Sequence, residues 1–190
     1  MRAGKGIAWG IVLAALVVYA VMLTVTLPHL ASLAGGVPVF DLRPTGYTLA
    51  EAKTVLMALG DEGRRYYLDV QQPLDTAFPI LNAAAAAVGL TAAFSGGRWR
   101  LFQLGKGAHA LLLAAICLPV AVFDLLENAM VRRLLTMDPR TISAEAVAMA
   151  SGFTLAKSVA VTVAYCLVLV ALMVLMSDRL RAKKARASRV

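Results

Sequence analysis

The sequence predicts an all-α fold: a polytopic membrane four-helix bundle with a short amphipathic helix in its first extracytoplasmic loop. Three observations carry this expectation. Of 190 residues, 60% are hydrophobic and 16% charged, against roughly 45–50% and 25% in soluble domains. Four stretches are apolar over the ~20 residues a helix needs to cross ~30 Å of hydrocarbon. The basic residues also segregate to one side of those stretches, giving a pI near 9.9 with a mean hydropathy of +0.75. An ordinary soluble globule is excluded, and a disordered tail more firmly still. The whole chain, 1–190, reads as one membrane domain.

The first span, 7–27, carries no charge. Arg2 and Lys5 before it and Ser32-Leu33-Ala34 after it also fit a cleaved signal peptide. The run exceeds the about 7–15 apolar residues of a signal core, which favours a span. The second span, 73–94, has Asp75 near its start. Its alanine run 83–87 and Gly89 form a thin face that lets a neighbouring helix approach closely. The third, 108–126, has Asp124 near its end, and the fourth, 154–176, has Lys157 near its start. Pro79 and Pro119 predict kinks.

Orientation follows from the positive-inside rule. With the N-terminus inside, eleven of the 19 basic residues and a single acid, Asp178, lie on the inner side. Both termini are therefore expected in the cytoplasm of a bacterial inner (plasma) membrane, with a short basic inner turn, 95–107, joining the second and third spans. The cytoplasmic tail, 178–190, holds six bases from Arg179 to Arg189. Each contributes about 1 kcal/mol of attraction to anionic lipids. No aromatic residue is interleaved with them, so nucleic acid is not the expected partner. The expected partners are the bilayer, its anionic lipids and a further membrane protein or a second copy of the chain.

The outer segments are 28–72 and 128–153. In the first, Thr48-Leu49-Ala50-Glu51 has the form of a capping box. Leu49, Ala52, Leu56 and Leu59 follow at helical spacing, and Gly60 is the expected stop. Tyr66 and Tyr67, just before the second span, suit an interfacial aromatic belt. In the second, Asp138-Pro139 suits a helix start, and Gly152 a break before the fourth span.

Ionisable groups inside spans are functional candidates by default, because they cost several kcal/mol unless paired. Asp75, Asp124 and Lys157 all fall at the outer ends of their spans. Asp124, Glu127 and Asn128 share a helix face, as do Asp75 and Asn82 seven residues apart. Ser151, Thr154, Ser158, Thr162 and Tyr165 form a polar stripe on the fourth helix. The candidate polar pocket is thus Asp75, Asn82, Asp124, Glu127, Asn128 and Lys157, open to the outer side. Arg64, Arg65, Arg132 and Arg133 form a candidate rim for an anionic headgroup. The competing reading pairs Lys157 with Asp75 or Asp124 simply to hold the helices in register.

No metal centre or cofactor is expected. His29 and His109 fall at opposite membrane faces, and Cys117 and Cys166 read as small packing residues on different spans. No CxxC, GxSxG or HExxH occurs.

Pro44-x-Gly46-Tyr47, Glu51-Ala52, Gly63-Arg64-x-x-Tyr67-Leu68, Leu74-Asp75-x-x-Phe78-Pro79 and Asp124-x-x-Glu127-Asn128 together form a pattern whose resemblance covers about 28–135. This pattern resembles a group of small bacterial four-span membrane proteins to which no activity is attached. The resemblance implies the four-span architecture and no catalytic residues. The functional expectation is a non-enzymatic interaction or accessory protein of the membrane. The alternative is a small lipid-active enzyme or lipid-binding protein working through the carboxylate pocket.

Overall fold

A computed structural model describes residues 2–94 and 106–187; Met1, residues 95–105 of the inner turn expected at 95–107, and the last three tail residues lie outside the described residues. The described chain is helical and holds no strand. Helix α1 (Arg2–Val21) continues through a π-helical turn (Met22–Thr26) into α2 (Leu27–Leu33). A loop holding a 3-10 turn (Phe40–Leu42) leads to α3 (Leu49–Tyr66). A second π-helical turn (Tyr67–Gln71) joins α3 to α4 (Gln72–Phe94), and α5 (Lys106–Thr136) and α6 (Ala144–Ala187) follow.

Four helical stretches are long and apolar enough to cross a membrane: Gly6–Leu33, Leu49–Ala92, Leu111–Thr136 and Ala144–Lys184. Only 11–28% of each stretch's most apolar window is buried within the chain, so most of that surface needs a non-aqueous cover. The four stretches are thus compatible with a multi-pass membrane protein. Helix α4 is the hub and packs on α1, α5 and α6, while α5 and α6 pair with each other.

Two apolar cores stand one above the other. The outer one lies at the end of the bundle covered by a cap, residues 27–71, where Leu30, Phe40, Leu56 and Tyr67 pack with Val131, Leu134 and Val147 from α5 and α6. The inner one is small and thin: Ala86, Leu90, Cys117, Val168 and Ala171. A Cβ added to Gly89 would lie 3.3 Å from Val168 Cγ1, the close approach the alanine run predicts. Between the cores lies a layer of buried polar side chains that includes Thr26, Gln71, Asp75, Asp124, Glu127, Asn128 and Thr154.

The capping box forms as expected. Thr48 Oγ1 accepts from the Glu51 amide at 3.3 Å, and Glu51 Oε2 accepts from the Thr48 amide at 2.7 Å. Ala52, Leu56 and Leu59 face the outer core, so α3 lies on the bundle. Gly60, however, bends the helix instead of ending it. Its φ of 57° and ψ of −163° interrupt the helix for one residue, a conformation open essentially to glycine. Arg64 holds the bend, donating through Nε to the Gly60 carbonyl (3.3 Å) and through a terminal guanidinium nitrogen to the Met137 carbonyl (3.0 Å).

Other local expectations are corrected. Asp138-Pro139 forms a turn, and α6 begins only at Ala144, after Ser143, whose hydroxyl accepts from the Ala146 amide. Helix α6 passes through Gly152 unbroken, because neighbouring residues supply a continuous helical ladder. Tyr67 is fully buried, not interfacial, since the cap folds over it; Tyr66 meets the His29 ring edge-on at 4.6 Å. Cys117 is buried, whereas Cys166 is exposed on the outside of the bundle, not packed inside it.

Candidate functional site

The polar layer is assembled by one to three side chains from each helical stretch. Lys157 on α6 reaches across to α5, pairing with Asp124 Oδ1 at 3.3 Å and with Glu127 Oε2. Glu127 is 1% exposed, and its other oxygen accepts from the Thr154 hydroxyl at 2.6 Å. Burying such charges is tolerated only with this kind of pairing and bonding. The i, i+3 spacing of Asp124 and Glu127 puts both carboxylates within reach of one ammonium. Lys157 therefore meets Asp124 as sequence spacing suggested, takes Glu127 as second partner, and makes no ion pair with Asp75.

Asp75 is held differently. Gln71, one turn before it, donates to its Oδ1 at 2.9 Å, and Thr26 donates to Gln71 Oε1 at 2.6 Å. This relay brings the first helical stretch into the layer. Asn128 donates its side-chain amide both to the Asp75 backbone carbonyl and, at 3.4 Å, to Asp124 Oδ1. Asp75 Oδ2 is buried without a hydrogen-bond partner. Asn82 lies deeper, where it accepts from the Tyr165 hydroxyl of the α6 stripe. All six candidate pocket residues thus belong to one region, with Asn82 tied to α6 by a separate bond.

The loop 35–48 closes the layer from outside. Ser151 Oγ accepts from the Tyr47 amide at 2.9 Å, and the Ser158 hydroxyl donates to the Pro44 carbonyl at 2.8 Å. Gly46, at φ +81°, presses against α6 so tightly that a Cβ would lie 2.4 Å from Ser151 Oγ. Tyr67 donates to Asp41 Oδ2 at 2.8 Å. Burial pushes the Asp41 carboxyl up to about 6, helped by the charges of Glu127 and Asp124 and opposed by Lys157. Burial also raises the Tyr47 phenol. The loop lid, with Asp41, Tyr47 and Tyr67, is what sequence reasoning missed; it missed Gln71 too, which its place one turn before Asp75 could have revealed.

Of the candidate rim, Arg64 is occupied at the Gly60 bend and pairs with Asp61 at 3.5 Å. Arg65, Arg132 and Arg133 are exposed. No group of three or more potential metal-ligating side chains comes together among the described residues. Chemically, the layer is an ion-paired and hydrogen-bonded seam with one unpartnered carboxylate oxygen. Comparison with family models, curated proteins and solved structures finds no match to the chain.

Proposed function

We propose that this chain is a non-enzymatic accessory protein of a bacterial plasma membrane. It crosses four times with both termini inside and acts through contact with another membrane protein or a second copy of itself. The reading is carried by the double engagement of Lys157, which occupies Asp124 and Glu127 together. Carboxylates so engaged hold helices in register; they are poorly placed to move protons on a substrate. The basic cytoplasmic tail lies against anionic lipids and fixes the inner end.

The test separates folding from chemistry. Glu127→Gln and Lys157→Met are expected to lower the thermal midpoint of the detergent-solubilised protein. Recovery of any crosslinked partner then falls only in proportion to the folded fraction. Normal folding with loss of a bound small molecule would overturn the reading.

A second reading rests on the unpartnered Asp75 Oδ2, buried beside other carboxylates. It makes the layer a lipid-binding or lipid-active pocket open to the extracytoplasmic side. Asp75→Asn then folds normally and loses a lipid that the wild type retains.

A further inference from the structure

The bundle has a recess where α5 meets α6, and one of its lining residues, Leu155, also lies beside Gly46 of the loop 35–48. A cavity of about 500 Å³ lies between α5 and α6, walled by Pro119, Phe123, Ala156, Val159 and Ala160. A second, of about 430 Å³, shares Pro119 and Phe123 and continues along α5 past Leu118 and Val122. Sequence explains the recess. Ala156 and Ala160 lie one turn apart and leave its floor low. Pro119 lacks the N–H that would bond the Ala115 carbonyl, which loosens α5 there.

The same face of α5 carries an unused positive end. Arg133 is 18 residues beyond Ala115, five whole turns, so it stands over the same line of the helix. Val122 and Leu126, 47% and 39% exposed, continue the apolar track between them. Arg132 and Arg133 are exposed and neither makes an ion pair among the described residues. The recess from Leu111 to Phe123 is about 18 Å long, and Arg133 lies about 15 Å beyond Phe123. A transmembrane helix would need a track the full ~30 Å of the hydrocarbon core. An apolar chain ending in an anionic head fits a short recess with cations above it.

We propose that this face of α5 seats one bilayer phospholipid with an anionic headgroup. An acyl chain lies in the recess against Pro119, Phe123 and Ala160, and Arg132 and Arg133 hold the phosphate. Guanidinium groups suit that role because their paired N–H donors match phosphate oxygens. The seat is independent of the polar layer, so it stands or falls separately from the accessory reading.

The experiment uses the full chain in nanodiscs of phosphatidylcholine containing a minor fraction of phosphatidylglycerol, followed by release and native mass spectrometry. One phosphatidylglycerol per chain is expected to survive release. The double variant Arg132→Gln, Arg133→Gln should keep the wild-type thermal midpoint and lose about ten-fold in phosphatidylglycerol occupancy. Ala160→Phe, which fills the recess, should lose retention of either lipid, and Ala156→Leu serves if that variant does not fold. Three results would each overturn the proposal: equal retention of the two lipids, retention indifferent to the arginines, or a protein chain covering the face instead.

Discussion

Asn128 on α5 donates its side-chain amide to the backbone carbonyl of Asp75 on α4. The carbonyl needs that donor because Pro79 stands four residues later in the same helix and has no N–H to give it. A carbonyl that a proline leaves without its helical donor is thus satisfied by a side chain of the neighbouring helix, as membrane helices require. Asn128→Ala should destabilise the bundle by about 1–3 kcal/mol, since it orphans a buried acceptor. In a Pro79→Ala background the helix supplies its own donor, and the same substitution should cost clearly less. Unfolding curves for the four proteins of this cycle measure the difference; equal costs in both backgrounds would refute the coupling.

Removing Lys157 leaves Asp124 and Glu127 buried without a counter-charge. Lys157→Met should therefore lower stability by about 3–5 kcal/mol. The triple variant Lys157→Met, Asp124→Asn, Glu127→Gln should recover much of that loss, because no uncompensated charge remains. Thermal unfolding in detergent reads both; a triple variant no better than the single one would argue against the pairing.

Asp41 gives the cap a pH dependence with a definite sign. In the unfolded chain an aspartate titrates near ~3.9, whereas the folded carboxyl is pushed up to about 6. Between those values the folded state holds more protons than the unfolded one. Stability therefore falls as pH rises from about 4 to about 6 and is flat above that range, as far as this group is concerned. Asp41→Asn should remove the slope. Protease nicking of the loop 35–48 as a function of pH is a direct readout, and protection that rises between pH 4 and 6 would contradict the sign.

Gly46→Ala should lift the loop from α6. The position has φ +81°, and the new Cβ would meet Ser151 Oγ. The backbone strain alone is about 1–2 kcal/mol. Faster loop proteolysis with unchanged helical content is expected. Gly152→Ala is the control, since nothing lies within 4 Å of its added Cβ.

The orientation is checked with single cysteines in a Cys117→Ala, Cys166→Ala background. Met57 is exposed on α3, and Arg181 is exposed near the end of α6. In intact cells, an impermeant maleimide should label Met57→Cys and leave Arg181→Cys until the membrane is broken. The reverse pattern would invert the topology.

The spans and the Lys157–Asp124 contact were legible because they depend on local composition and on charges that cannot stay unpaired in an apolar layer. The capping box was legible for the same kind of local reason. Asp41 and Tyr67 were not, since the path of the loop 35–48 over α6 depends on packing between residues about a hundred positions apart. Gly60 misled because glycine both ends helices and bends them. The helix resumes beyond Gly60, and Arg64 holds the bend through the Gly60 and Met137 carbonyls. Pro79 announced a missing backbone donor, but nothing in sequence spacing named Asn128 as the group that replaces it.

The order in which the polar layer's members leave the ribosome has a consequence for biogenesis. Asp124 and Glu127, like Asp75, are synthesised before Lys157 on α6, the ammonium that pairs with both of them. Until α6 arrives, α4 and α5 carry carboxylates that bare lipid would reject. The earlier helices must therefore wait beside one another, at the insertion site or under a chaperone, for the final one. A chain truncated before α6 should be recognised and degraded as an orphan.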